Sequence, residues 1–374
     1  MQMMAGNPRA PWRHVDLSLV AATLSISAIG LLMVYSSTRQ KQLTEGLDPG
    51  YFLKRQAVFF VVGAILMVAV MVFDYQTLRE AAPALFAGSV LSLLLVLSPL
   101  GSESRGIQAW FQLGPYQLQP SELTKVALIV GLAAFCSTQR GPIEARTLMI
   151  LLGLVAVPLA LVYRQPDFGT AMVLVAIVVG VLVVGGAQGR HLLVLGFIGL
   201  VAVVAVLQLG VLQQYQVDRL TAFLDPTVDI QNTAYNLRQS QVAIAAGGFG
   251  GRGLFQGTQT NLSFVPEQHT DFIFTAVGEE LGFLGAGTLL GLFGLLIWRI
   301  WRTAALARDR FGSLLCVGVL AMFVFQVFEN IGMTMGMTPV AGIPLPLMSY
   351  GGSSTLATMM AVGIVLNVHM RRLR

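Results

Sequence analysis

The sequence is short of charge. Asp, Glu, Lys and Arg make up 11% of its 374 residues, where a soluble domain carries roughly a quarter. So few charged side chains cannot coat the surface of a soluble protein of this size. Cysteine is almost absent. Cys136 and Cys316 lie in or beside apolar stretches and supply no disulfide framework. The histidines His14, His191, His269 and His369 are scattered, which leaves no zinc-type spacing. No small-residue cleavage site clearly follows the first apolar run, so that run reads as an anchor rather than a removable signal.

What the sequence has instead is apolar blocks: 55% of its residues are hydrophobic, and the mean hydropathy is +0.73. A membrane-spanning helix needs roughly 20 mostly apolar residues and satisfies its own backbone in lipid. The blocks predict an all-α, polytopic membrane protein of about ten spans in one domain covering 1–374. The spans are 17–35, 56–73, 81–97, 123–135 (extended outward through Glu122), 147–162, 170–184 and 192–212, then runs within 283–300, 313–335 and 355–369. A polar stretch of about 213–270 separates the seventh from the eighth. With ten spans both termini share one side. That side holds Arg9, Arg13, Arg79, Arg146, Arg190, Arg299, Arg302, Arg310 and Arg372, among others. The short loops opposite hold fewer: Arg39, Lys41, Lys54, Arg55, Arg105 and Arg164. The positive-inside rule therefore puts both termini in the cytoplasm. The net charge of +5 is accounted for by these inner-face arginines and calls for no nucleic acid.

The acids collect away from the span centres. Glu122 and Lys125 open the fourth span, and Asp167 precedes the sixth. Asp218, Asp225, Asp229, Glu267, Asp271, Glu279 and Glu280 lie in or beside the long outer loop. Charge near a bilayer is costly unless it is paired or lines a wet cavity, so this convergence predicts a polar cavity opening outward. Glu122 and Lys125 are three apart and share a helix face; a structural ion pair and a cavity wall are both consistent with that spacing. Trp12 and Tyr116 read as interfacial belt residues; for Trp110 substrate contact is the alternative.

Gly248, Gly250 and Gly253 match G-x-G-x-x-G, but that fingerprint needs a strand inside a βαβ unit. In an outer membrane loop the glycines read as a tight turn that allows close backbone approach. The segment 336–353 is uncharged and carries Pro339, Pro344 and Pro346, which forbid one continuous helix. Irregular backbone is not viable against lipid, so a re-entrant loop buried in protein or lining the cavity is expected.

Taken in order, several motifs resemble the SEDS family of shape, elongation, division and sporulation proteins. They are Arg55-Gln56, the QPSE..K run 119–125, the QPD.GTA run 165–171, Arg219 with 223–226 and Tyr235, the segment 264–274 followed by Gly278-Glu279-Glu280-Leu281-Gly282, and the run 342–352. Within the family, 330–334 and the Gly-Ile-Pro at 342–344 are more similar to the elongation branch (RodA) than to the division branch (FtsW), which tends to carry Thr-Leu-Pro. One position departs from the pattern. The arginine usual before the loop tryptophan is Ala109 here, and Arg105 could replace it if the loop is helical.

The resemblance implies a peptidoglycan glycosyltransferase that polymerises lipid II at the outer leaflet of the bacterial cytoplasmic membrane, during cell-wall elongation. The transfer would invert an anomeric centre with undecaprenyl pyrophosphate leaving. Such a reaction needs a base for the attacking hydroxyl and positive charge at the leaving group. Asp271 is the implied catalytic base; a helix N-cap is the alternative role. Arg55, Trp110, Glu122, Lys125, Asp167, Arg219, Glu267 and Ser349 are the expected substrate-binding residues. A magnesium- or manganese-type ion is an expected aid to the pyrophosphate. The implied partners are a class B penicillin-binding protein and the elongation machinery. The partner's helix is placed near the eighth and ninth spans, where Gly287 and Gly291 are spaced G-x-x-x-G, although internal packing is the simpler reading of those glycines. A lipid II flippase or other transporter, and a structural scaffold, are the competing classes. Carriers bind at the midplane between repeats, whereas here the acids lie outward and no repeat is seen.

Overall fold

A computed structural model describes residues 14–104, 107–139, 141–208, 217, 219–221, 223 and 233–373. Arg9, Trp12, Arg13, Arg105, Asp218, Asp225 and Asp229 lie outside the described residues. The fold is all-α with one small sheet. Its helices are α1 (Leu17–Thr44), α2 (Tyr51–Val72), α3 (Tyr75–Val96), α4 (Pro120–Ser137), α5 (Ala145–Arg164), α6 (Phe168–Val184) and α7 (Gly189–Gln208), then α8 (Thr233–Gly247), the short α9 (Thr258–Asn261), α10 (Ile273–Ala305), α11 (Arg310–Met335) and α12 (Gly352–Arg371). Eight are long and apolar enough to cross a membrane, and α6 and α7 are further apolar helices. The chain is a multi-pass membrane protein.

Burial separates the helices. Of the apolar window in each, 89% is inside the protein for α12 and 67% for α4 and α11, against 22–28% for α2, α3 and α5. The inner helices therefore form the centre, and the others present Val, Ile, Leu and Met to lipid, among them Val61, Ile65 and Met149. Small residues let the centre close: a Cβ on Gly318 would meet Ile129 Cγ2 at 2.7 Å, and one on Gly180 would meet Ala321 Cβ at 2.6 Å.

The start of α1 and the end of α12 lie at one end of the bundle, the terminal face, where His369 approaches Asp16. There Asp16 caps α1 through Leu19 N–H and takes Arg299 at 2.5 Å. Asp309 caps α11 through Gly312 N–H and accepts from Tyr75 and from Gln76. The opposite end, the loop face, carries the sheet: β1 (Ser102–Ser104), β2 (Ile107–Leu113) and β3 (Tyr116–Leu118), antiparallel in the order β1-β2-β3, with Ser102 opposite Trp110 and Phe111 opposite Leu118. Ala109 and Trp110 thus lie on a strand. Ile107 pairs back onto Ser104, so the tryptophan side of this loop is strand rather than helix, and Arg105, the proposed replacement for the missing arginine, lies outside the described residues.

Several spans start earlier than hydropathy placed them: α2 at Tyr51, α3 at Tyr75, α4 at Pro120 and α10 at Ile273. Pro120 opens α4 at its first turn, where its missing N–H costs nothing. α10 begins at Ile273 and is broken at Gly282, whose φ is 64° and ψ −161°. The break receives the glycine-rich turn. Arg252 N–H and Gly253 N–H donate to the carbonyls of Glu279 and Glu280 at 3.0 Å, and Phe283 N–H donates to Gly248 O at 2.9 Å. A Cβ on Gly251 would lie 2.2 Å from Glu280 O, and one on Gly247 1.9 Å from Gly278 O. Only glycine permits that backbone approach, as the sequence reading of this turn expects. Further down α10, a Cβ on Gly287, Gly291 or Gly294 would meet nothing within 4 Å among the described residues. These glycines face outward, so internal packing is not their role.

Candidate active site

The segment between α11 and α12 organises the loop face. Gly336 ends α11 in the left-handed conformation (φ 76°), and Met337 N–H donates back to Gly332 O at 2.8 Å, a glycine-terminated helix end. The prolines then keep the chain extended and turning. Ser349 folds it back: its hydroxyl accepts from Leu345 N–H at 2.8 Å, and its own N–H donates to Leu345 O at 3.0 Å. Ile343, Leu345, Leu347 and Met348 are buried. A Cβ on Gly30, midway along α1, would lie 2.7 Å from Met348 Cα, so the segment dips to the level of the middle of that helix.

Asp271 meets this segment. It lies one residue before Phe272, which is the N-cap position of α10, so Asp271 does not hold the cap position of that helix. Its carbonyl accepts from Asn330 Nδ2 at 2.7 Å, and the same Nδ2 donates to Ile343 O at 2.7 Å. Between these anchors the chain turns at Gly342 (φ 72°). A Cβ on Gly342 would lie 3.5 Å from Asp271 Oδ2 and 3.6 Å from Arg219 Nη1. The carboxylate and the guanidinium therefore flank one glycine and are no more than about 7 Å apart, the sum of those distances. Arg219 Nη1 also donates to Ala341 O at 3.3 Å. Glu267 opens the turn that leads into Asp271 with φ 55°, its carbonyl accepting from Thr270 N–H at 3.1 Å and from the Thr270 hydroxyl at 3.0 Å.

The other expected residues form separate groups around this centre. Asp167 caps α6 through Thr170 N–H at 2.9 Å, and its second oxygen takes Gln119 Nε2 at 2.9 Å and the Ser121 hydroxyl at 3.3 Å. It thereby binds the start of α4 to the start of α6. Gly169, next along α6, packs on the carbonyl of Ala341. Glu122 and Lys125 form an ion pair at 2.8 Å, with the side chains 4% and 2% exposed. Both are closed to solvent, and Glu122 Oε2 has no partner among the described residues. Ser349 is buried, with its hydroxyl engaged inside the loop. Trp110 is half-buried on β2, its carbonyl accepting from Ser102 at 3.0 Å. Arg55 donates to the Tyr51 hydroxyl at 2.6 Å and lies over the ring of Tyr116. Among the described residues, no three His, Cys, Asp or Glu side chains come together to hold a metal ion.

Two residues were not singled out as site residues from sequence. Asn330 holds Asp271 against the re-entrant segment. Gln56 holds the segment's other end: its Nε2 donates to Ser349 O at 3.2 Å and to the Thr355 hydroxyl at 3.1 Å, and its Oε1 accepts from Gly351 N–H. An amide side chain inside an apolar span was the available signal for both, because such groups are rarely left without partners.

Ten apolar helices among the described residues define a polytopic membrane protein, with a candidate site at its loop face. The chain belongs to the FtsW/RodA/SpoVE family of cell cycle proteins, which it matches over residues 17–373. It is 37% identical to a probable peptidoglycan glycosyltransferase FtsW from Trichlorobacter lovleyi, over 96% of this chain and 95% of that one. It is 34% identical to the peptidoglycan glycosyltransferase MrdB of Escherichia coli, over 96% and 94%. Among solved structures, a chain of a peptidoglycan synthase complex superposes with a TM-score of 0.82 at 33% identity, covering 97% of this chain and all of that one. The rod shape determining protein RodA of Thermus thermophilus superposes with a TM-score of 0.72 at 32% identity, covering 98% and 100%.

Proposed function

We propose that this chain is a peptidoglycan glycosyltransferase that polymerises lipid II at the outer leaflet of the cytoplasmic membrane, with both termini in the cytoplasm. The observation that carries the reading is the pairing of Asp271 and Arg219 across Gly342, in a chain whose relatives are named for that activity. Asp271 takes the proton of the attacking 4-hydroxyl as that oxygen bonds to the anomeric carbon of the other substrate. The bond from that carbon to the pyrophosphate oxygen breaks, and the centre inverts. Arg219, a permanent cation beside the carboxylate, offers charge to the departing pyrophosphate. Lys125 is paired inside the bundle and Arg55 is enclosed by rings, so Arg219 is the cation best placed for that task.

The described residues offer no ready metal cluster, and no step here runs through one. An ion carried in with the pyrophosphate needs only one or two protein carboxylates. An elongation role is supported by the runs 330–334 and 342–344. The partner is a class B penicillin-binding protein whose single helix packs on α10, where Gly287, Gly291 and Gly294 stand open.

The test is lipid II polymerisation by the purified protein with that partner in detergent, with and without chelator. Glycan polymer is expected. Its absence, with intact folding, points to a flippase or scaffold instead, since neither makes polymer in detergent.

A further inference from the structure

The loop face carries a second built feature beside the Asp271–Arg219 pair. The Arg55 guanidinium carbon lies 5.1 Å from the Tyr51 ring centre and 5.2 Å from that of Tyr116. Its Nη1 donates to the Tyr51 hydroxyl at 2.6 Å. Phe52 meets the Tyr350 ring edge-on at 5.1 Å, and the His269 ring lies 5.0 Å from Phe52 and 5.6 Å from Tyr350. Four segments supply these groups: α2, β3, the end of the re-entrant segment and the turn before Asp271. Tyr51 and Tyr116 remain 44% and 37% exposed.

Belt aromatics sit at the headgroup level around a membrane protein's circumference. Here the rings of Tyr51 and Tyr116 converge on a guanidinium, and those of Phe52 and Tyr350 join His269 in the turn that carries Asp271. Tyr350 N–H donates to His269 O at 2.9 Å. Only Thr270 separates His269 from Asp271, so their Cα atoms are within about 7 Å. An arginine held between two rings is fixed before any ligand arrives, and little freedom remains to be lost on binding. The rings supply flat apolar faces, while the phenols and the guanidinium supply polar groups at the rim. A pyranose matches both characters, with C–H groups on its face and hydroxyl, amide and acidic substituents around its edge.

We propose that Arg55, Tyr51, Tyr116 and Tyr350 form a saccharide subsite that holds a sugar of the glycan strand next to the one reacting at Asp271. The proposal rests on the polymerase reading and deepens it. Arg55 is then a ligand for sugar substituents rather than the pyrophosphate clamp.

The test is equilibrium binding of a soluble, lipid-free tetrasaccharide of alternating N-acetylglucosamine and N-acetylmuramic acid to the full-length protein, titrated to millimolar concentration. Tyr116→Ala is expected to weaken binding about tenfold, a loss of one contact of ordinary size, and Tyr116→Phe, which keeps the ring, to stay near wild type. Tyr51→Ala, at an exposed position, gives a second reading if Tyr116→Ala folds poorly. Equal affinity for wild type and the Ala variants overturns the subsite, as does no binding by wild type. Polymerisation by the same proteins separates the two readings. Polymer from wild type, with tetrasaccharide affinity untouched by the Ala variants, removes the subsite alone. No polymer, with binding that Tyr116→Ala weakens, removes the polymerase reading and leaves the subsite.

Discussion

One amide nitrogen joins Asp271 to the re-entrant segment: Asn330 Nδ2 donates at 2.7 Å to the carbonyls of both Asp271 and Ile343. Asn330 itself is fully buried. Asn330→Ala strands two acceptors away from water, which costs about 2 kcal/mol or more. Asn330→Asp turns an acceptor toward two acceptors and is expected to cost more. Thermal unfolding in detergent reads the stability, and polymerisation per folded protein reads the loosened carboxylate. Wild-type turnover in a stable Asn330→Ala protein contradicts the positioning role.

The Glu122–Lys125 pair is nearly closed to solvent. Removing one partner leaves a buried, uncompensated charge, and such losses run at about 3–5 kcal/mol. Lys125→Met alone is expected to lower the unfolding temperature sharply, and adding Glu122→Gln to recover much of the loss. Simple additivity of the two changes would mean that they do not interact.

Gly287 and Gly291 have open space where a side chain would stand. Replacing both with leucine is expected to leave the unfolding temperature unchanged. The same change fills the groove a partner helix needs, and co-purification with the transpeptidase should fall. Unchanged co-purification places the partner elsewhere.

Asp16 gives the terminal face a pH dependence. Burial raises its pKa, but the Ser18 hydroxyl, Arg299 and the Leu19 N–H outweigh burial and hold it below the usual carboxylate value. A carboxylate with a depressed folded-state pKa contributes stability above its unfolded pKa, and the contribution is lost as pH falls through the folded value. Asp16→Asn keeps a good cap and loses the charge. The gap in unfolding temperature between wild type and Asp16→Asn should be full at neutral pH and close below the ordinary carboxylate range. A gap that stays constant to low pH contradicts the linkage.

The membrane helices were legible because hydropathy over about 20 residues is a direct reading of the bilayer. The acids' bias toward one face was legible for the same reason. The close approach at Gly247 and Gly251 was foreseeable as a glycine requirement, but its target was not, because Gly282 breaks α10 inside a run that hydropathy reads as one span. The sheet at 102–118 escaped notice: its strands are short, and β1 and β3 have three residues each. Asn330 passed for a branch marker because its two acceptors are backbone carbonyls, and side-chain patterns do not encode those. Arg55 was read as a substrate-binding residue, but its enclosure was not legible, because Tyr116 comes from a strand distant in sequence from the helix that carries Tyr51 and Arg55.

The most direct test of the central claim compares Asp271→Asn with wild type, each purified with the transpeptidase, in lipid II polymerisation. Asparagine keeps the shape and removes the base. The expected result is no glycan polymer from Asp271→Asn, at a wild-type unfolding temperature and with the partner still bound. Substantial polymer from that variant would contradict the assignment of Asp271 as the base.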